Sequence, residues 1–267
     1  MTFDPMGTTA IVTGASSGFG VDFAHRLAER GADLVLVARR EDRLRALADD
    51  LAERYGTMST VVPLDLTSPD AAASLAATLA EKGIEVSTLV NNAGFGSFGA
   101  FAEMDADRVA DEVALDVVAV TTLTRAFLPQ LLAAASRKPG SAALVNVAST
   151  AAFQPIPRMA VYGSSKIYVL HLTEAIAVEN AGSGLKVTAL CPGPAHTEFL
   201  GIADNEPAMI GTWATSEQVV ARAFHALDRR RTPAVTVVGR WNAVQAKVAS
   251  IGPRALIAHS VGRITAR

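Results

Sequence analysis

Tyr162 and Lys166 stand four residues apart, and Ser149 lies upstream of the tyrosine. On a helix, a Tyr-x-x-x-Lys spacing puts both side chains on one face, one turn apart. A free tyrosine has a pKa near ~10 and is a poor proton donor or acceptor at pH 7. A fixed lysine cation one turn away favours the phenolate and lowers that pKa. A serine hydroxyl nearby can hold a carbonyl oxygen. Together the three make a device for moving a proton on or off an oxygen. Taken singly, each has a plainer reading: a core tyrosine, a surface lysine, a strand-end cap.

A second group of residues opens the chain. The first apolar run leads into Thr13-Gly14-Ala15-Ser16-Ser17-Gly18-Phe19-Gly20 and then into a helical pattern. Glycines in such a turn let the backbone approach a pyrophosphate, and the helix N-terminus offers amide donors and a positive dipole end. A plain strand-to-helix turn would read the same way. The second strand adds support. Dinucleotide sites that prefer NAD usually place an acid about 20 residues past the turn. Here the strand ends Val37-Ala38-Arg39-Arg40, with no acid. An arginine there can pair with a 2′-phosphate. The expectation is NADP(H), held through Arg39 and with Arg40 in support, with NAD(H) allowed. Asp65-Leu66 closes the third strand, as an adenine contact or a turn residue. Asn91-Asn92-Ala93-Gly94 closes the fourth, with residues small enough for a cofactor to cross.

The elements that must carry these residues alternate along the chain. Strand-like runs fall at 9–13, 33–38, 60–64, 88–91, 143–147, 186–190 and 234–238. Helical runs fall at 19–30, 43–55, 71–82, 106–135 (bent near Pro129) and 160–180, and another starts near Glu217. Leu44, Leu47 and Leu51 show the helical spacing. LVLVA, ALVNV and KVTAL are apolar nearly throughout, as strands buried on both faces are. The fold class is therefore α/β: a Rossmann-like, doubly wound parallel sheet of about seven strands with helices on both faces. No linker, repeat or low-complexity tract divides residues 1–267, so one domain is expected. The irregular stretch 194–216 reads as a substrate lid.

Composition narrows the classes. Half of the 267 residues are apolar, 19% are charged, and the net charge is −2, which points to neither nucleic acid nor membrane. One cysteine, Cys191, allows no intrachain disulfide and fits a reducing cytoplasm. Its apolar neighbours mark a buried, inert thiol. No signal peptide and no transmembrane stretch are read. No Cys/His cluster suggests a metal. Between positions 229 and 267 there are eight Lys or Arg and no Asp or Glu. This basic extension (240–267) reads as a solvated face, a dock for an acidic acyl carrier, or a peripheral membrane contact.

TGASSGFG, Asp65, NNAG, Ser149, Tyr162-x-x-x-Lys166 and Pro192-Gly193 followed by Thr197 occur in an order and spacing that resembles the short-chain dehydrogenase/reductase family over nearly the whole chain. The resemblance implies an oxidoreductase interconverting a carbonyl and a secondary alcohol. It implies Tyr162 as acid/base, Ser149 as the partner of the substrate oxygen, and Lys166 as tuner of Tyr162 and ligand of the nicotinamide ribose. Pro192, Gly193 and Thr197 would line the nicotinamide. The family commonly has asparagine in the long fourth helix, in a proton relay; this chain has Asp116. If the backbone carbonyl at a local helix distortion carries that role, aspartate can serve; if the side-chain amide does, the relay is weakened, and an ionised Asp116 would attract Lys166 and blunt its effect on Tyr162. The resemblance implies a homodimer or homotetramer, with apolar faces of the 106–135 and 160–180 helices buried between subunits.

The expected substrate is a mainly apolar small molecule, because Phe95, Phe98, Phe153, Met159, Phe199 and Trp213 fall near loops around the site. A 3-oxoacyl thioester is the alternative substrate class, and a weakly active NADP-binding sensor or scaffold the alternative role. His171 reads as a packing or interface residue and His196 as a surface-loop residue within reach of substrate.

Overall fold

The computed structural model describes residues 2–195 and 211–265. Its strands are β1 (Thr9–Thr13), β2 (Asp33–Ala38), β3 (Ser59–Pro63), β4 (Thr88–Asn91), β5 (Ala143–Val147), β6 (Lys186–Cys191) and β7 (Val235–Val237). All pair in parallel, in the order β3-β2-β1-β4-β5-β6-β7. Chain order reverses between β1 and β4. In an open parallel sheet this is where a crevice opens beyond the strand ends.

The helices follow from periodicity. α1 (Phe19–Glu29) buries Phe23, Ala24, Leu27 and Ala28, and α2 (Glu41–Tyr55) buries Leu44, Leu47 and Leu51. With α7 (Ser216–Leu227) they cover one sheet face, against Ala10, Val12, Leu34 and Leu36. The alternate strand residues, Ile11, Val35 and Val37, face the other layer. There α3 (Ala71–Glu81), α5 (Val120–Arg137) and α6 (Ala160–Glu179) pack, with Leu75, Leu123, Phe127 and Ile176 inside.

A buried polar chain fixes the second layer laterally. Asn91 of β4 lies beside Asn146 of β5 in register. Asn91 Nδ2 donates to Asn146 Oδ1 at 2.9 Å and to Thr124 Oγ1 of α5 at 3.0 Å, and Asn146 Nδ2 donates to Thr173 Oγ1 of α6 at 2.9 Å. Such bonds, sealed from water, tie the two helices to one position on the sheet.

The structure departs from the sequence expectations in three places. The 106–135 run is not one helix bent at Pro129. It is α4 (Ala106–Val113), a π-helical turn over Ala114–Ala119, and α5, with Pro129 inside α5. A π turn accommodates an extra residue and is frequent at functional sites. Here it carries Asp116. The run Ala106–Arg137 is also long and apolar enough, by length and composition, to cross a membrane, although no such stretch was expected. Its inner face is committed to the sheet, where Leu123, Phe127 and Leu131 are buried.

The basic C-terminal segment is not an extension. It folds as α8 (Arg240–Ile251) and α9 (Arg254–Thr265), with Trp241, Val244, Val248 and Ile251 exposed along α8. Most of the 194–216 segment lies outside the described residues. Its two described ends are tied: Ala195 bridges Ala214, and the buried Asn242 of α8 accepts from the Thr212 amide at 2.8 Å and donates to the Thr212 carbonyl at 3.2 Å.

Candidate active site

At the strand reversal, Thr13 closes β1. Its buried hydroxyl donates to the Val90 carbonyl and accepts from the amides of Asn92 (2.9 Å) and Ala93 (3.0 Å). Asn92 Nδ2 donates back to the Thr13 carbonyl at 2.9 Å. The loop after β4 is thus held against the glycine turn after β1. The turn is packed as tightly as glycine allows: a Cβ on Gly20 would lie 2.2 Å from the Gly14 carbonyl oxygen. Gly18 caps α1, and no side chain caps the first-turn amides. The Val21 and Asp22 amides bond the Gly18 carbonyl, and the amides before them are left for an anion.

The two arginines separate. Arg40 Nε and Nη2 reach Ser16 Oγ at 3.2 and 3.0 Å, which fixes the guanidinium over the glycine turn. Arg39 is exposed and acts electrostatically on Asp65. Asp65 Oδ1 accepts from the amide and hydroxyl of Thr67, so the residue closes its own turn as well as facing the crevice. The Thr67 amide, with Arg39 assisting, holds the Asp65 carboxyl below the usual range. Both arginines line the cavity, and Arg40 is the one anchored at the turn.

At the other end, Ser149 follows β5, with its hydroxyl accepting from the Ala151 amide at 3.1 Å. Tyr162 and Lys166 project from one face of α6, with Lys166 Nζ 5.5 Å from the Tyr162 ring centre. Lys166 Nζ also makes a 2.8 Å ion pair with Asp116 Oδ2, and the two side chains are 7% and 0% exposed. Asp116 Oδ1 accepts from the Phe95 amide at 3.1 Å. The pair also explains Gly94: a Cβ there would meet Asp116 Oδ1 at 2.8 Å and Lys166 Nζ at 3.1 Å.

This pair changes the electrostatics expected of the trio. Burial pushes the Tyr162 phenol above its ordinary value; Lys166 and Ser149 pull it down, while Asp116 and a further carboxylate, Glu112, push it back up. The net direction is upward, opposite to the sequence expectation. Burial alone would lower the Lys166 ammonium, but Asp116, Tyr162 and Glu112 outweigh it and hold it above the ordinary lysine range. Burial raises the Asp116 carboxyl, against the pull of Lys166 and the Phe95 amide. The net result is a charged lysine and a tyrosine that keeps its proton.

A cavity of about 680 Å³ joins the two ends. It is lined at one end by Gly14, Ser16, Ser17, Gly18 and Phe19. Arg39, Arg40, Asp65 and Leu66 flank that end, and Asn92, Ala93 and Gly94 form its middle. Ser149, Tyr162, Lys166, Pro192 and Gly193 line the other end. Gly20 and Asp116 stand behind the wall, and Thr197, His196 and Phe199 lie outside the described residues.

Of the aromatic and apolar candidates, Phe95 and Met159 line the cavity. Phe98 instead stacks under Arg158, Phe153 packs on the core, and Trp213 lies outside the cavity wall. Asp105, Asp107, Arg108 and Asp111 line the mouth, so the substrate end is less apolar than expected. Val261 and Thr265 of α9 also line it. His171 is exposed on α6, and burial pushes the Cys191 thiol up to about 12, in keeping with an inert group. Sequence reasoning missed Glu112, Asn242, Val261 and Thr265, and gave Thr13 no role beyond opening the glycine turn. For the C-terminal pair, the Gly252-Pro253 break between two short helical stretches was an available signal.

A family model described as short chain dehydrogenase matches residues 8–207. Sulfoacetaldehyde reductase 2 of Chromohalobacter salexigens is 36% identical over 196 residues, 73% of this chain and 75% of that protein. Among solved structures, a short-chain dehydrogenase from Sphingobium yanoikuyae in complex with NADPH superposes with a TM-score of 0.77 at 33% identity, covering 93% of this chain and 97% of that one. The bulky-bulky ketone specific alcohol dehydrogenase from Comamonas testosteroni superposes with a TM-score of 0.73 at 31% identity, covering 93% and 96%.

Proposed function

The chain belongs to the short-chain dehydrogenase family of NAD(P)-dependent oxidoreductases, and from that premise we propose that it is an NADPH-dependent carbonyl reductase. The observation that carries this reading is the convergence of Ser149, Tyr162 and Lys166 on the cavity that begins at the glycine turn. The cavity fits a dinucleotide on its own evidence. The uncapped amides of α1 suit a pyrophosphate, and the Arg40 guanidinium, anchored by Ser16, suits a 2′-phosphate. Lys166, Pro192 and Gly193 stand where the nicotinamide half would lie. When bound, the reduced nicotinamide supplies the hydride.

The chain's own residues handle the oxygen. Ser149 Oγ donates to the carbonyl oxygen and stabilises the charge that develops there. Tyr162, kept protonated by burial against the pull of Lys166, gives its proton to that oxygen. A tyrosine that holds its proton suits reduction; oxidation needs the phenolate. Phe95, Met159 and Val261 offer apolar surface to a substrate side chain, while three carboxylates and one guanidinium at the mouth disfavour a small anionic substrate.

Cofactor choice tests the reading. A charge-assisted contact of this kind is worth about 1.5–3 kcal/mol. Arg40→Ala should therefore lower kcat/KM for NADPH roughly ten- to hundredfold and leave that for NADH nearly unchanged. Equal kcat/KM values for the two cofactors in the unaltered protein would refute the NADPH preference.

A further inference from the structure

Behind the Asp116–Lys166 pair sits a carboxylate that the steps above do not use. Glu112 lies one helical turn before Asp116, near the end of α4, and is 0% exposed. Among the described residues, no donor meets hydrogen-bond geometry with either of its carboxylate oxygens. An ionised carboxylate held in this way is costly, so burial favours the neutral acid and raises its pKa to about 7. The groups facing it are Asp116 on the same helical run, Lys166 and Tyr162 from α6, and the hydroxyl and amide of Ser97 from the loop after β4. Asp116 opposes its ionisation and Lys166 favours it. Ser97 is close enough to favour the charged form without meeting hydrogen-bond geometry. Beyond Ser97, Arg108 Nε donates to Ser97 Oγ at 3.1 Å, and Arg108 lines the cavity mouth beside Asp105, Asp107 and Asp111. Glu112 is thus buried on the same helical run as Asp116, with Arg108 of that run at the cavity wall.

We propose that Glu112 is the proton store of the site, resupplying Tyr162 through the Asp116–Lys166 pair after each reduction and refilling from water past Ser97. This rests on the carbonyl-reductase reading above. The balance is one proton per turnover. The Tyr162 O–H breaks as the alcohol O–H forms; the phenolate then takes a proton from the Lys166 ammonium. Lys166 regains it from the Glu112 acid by way of Asp116, and the Glu112 carboxylate takes one from water. Glu112 touches neither substrate nor cofactor, so it is a positioning residue for the proton.

The test compares Glu112→Gln with the unaltered protein. In the latter, steady-state kcat for reduction should fall as pH rises through about 7, because the protonated store is the competent form. In Glu112→Gln that inflection should vanish, and steady-state kcat should fall by roughly tenfold relative to the rate of the first turnover, when Tyr162 still carries its own proton. An inflection near 7 that survives in the variant overturns the proposal. So does an equal loss in first and later turnovers, the mark of a merely structural role. Two readouts need no turnover and so separate this proposal from the reductase reading. A protonated-carboxyl band in the infrared spectrum should titrate near 7 and be missing in Glu112→Gln. A carboxyl whose folded pKa is raised contributes stability at low pH that is lost as pH rises through the folded value. The unaltered protein should therefore lose melting temperature relative to the variant as pH rises from about 4.5 to about 7, with no further relative loss above that. Absence of the band at every pH also overturns the proposal.

Discussion

Replacing Tyr162 by phenylalanine should lower turnover by roughly 10²–10⁴-fold while cofactor affinity, read by fluorescence titration, stays nearly constant. Among the described residues, the phenol stands on the cavity wall beside Ser149 and Lys166, where it can give its proton to the substrate oxygen. Phenylalanine keeps the ring, and so the packing of α6, but leaves the substrate oxygen with only the Ser149 hydroxyl. Ser149 can still bind that oxygen; it cannot supply the proton at a useful rate. The defect should therefore appear in kcat more than in KM, since the lost interaction forms mainly in the transition state. A variant that loses less than about threefold would mean that the proton comes from elsewhere.

Asp116→Asn should have two large effects of opposite value. The ion pair it breaks is almost wholly buried, and removing one partner leaves Lys166 uncompensated. Breaking a buried pair in this way costs about 3–5 kcal/mol, so a lower denaturation midpoint is expected. Asparagine also cannot satisfy both neighbours, because Phe95 N and Lys166 Nζ each demand an acceptor. The kinetic effect has the other sign. Without the carboxylate, the upward push of Asp116 on Tyr162 is lost and the pull of Lys166 is unopposed by it. The Tyr162 pKa should fall, and alcohol oxidation, which needs the phenolate, should begin at lower pH. A shift of one unit corresponds to about a tenfold gain in oxidation rate on the rising limb of the profile. A pH–rate profile for oxidation that coincides with that of the unaltered protein would show that the pair does not govern the tyrosine.

The sheet was legible because its strands are apolar almost residue by residue: β4 and β5 run over the residues expected, and β2 needed no correction. The trio and the glycine turn were legible because their chemistry requires fixed types at fixed spacing. What stayed hidden depended on packing. Nothing in Ala-Leu-Asp-Val-Val-Ala marks a π turn; it shows only once folded, where it carries the Asp116 that pairs with Lys166. Arg39 and Arg40 look alike in sequence, and only the position of Ser16 distinguishes them. Glu112 reads as one more helical surface acid until α4 is packed beside α6. The C-terminal segment misled for a different reason. Its charge drew attention while its helical pattern was weak, so α9 was not expected to line the cavity. One consequence is that truncation after Gly239 would open the cavity itself, whatever carrier the substrate rides on.

The central claim is that this chain reduces carbonyls with a hydride from NADPH, and a single-turnover experiment tests it most directly. Enzyme in excess over NADPH is mixed with a panel spanning bulky ketones, short aldehydes and 3-oxoacyl thioesters, and absorbance is followed. The expected result is stoichiometric loss of NADPH with at least one neutral carbonyl, and no comparable loss in Tyr162→Phe. Tight NADPH binding with no consumption across the whole panel would contradict the claim and identify a binding protein that keeps the fold without the chemistry.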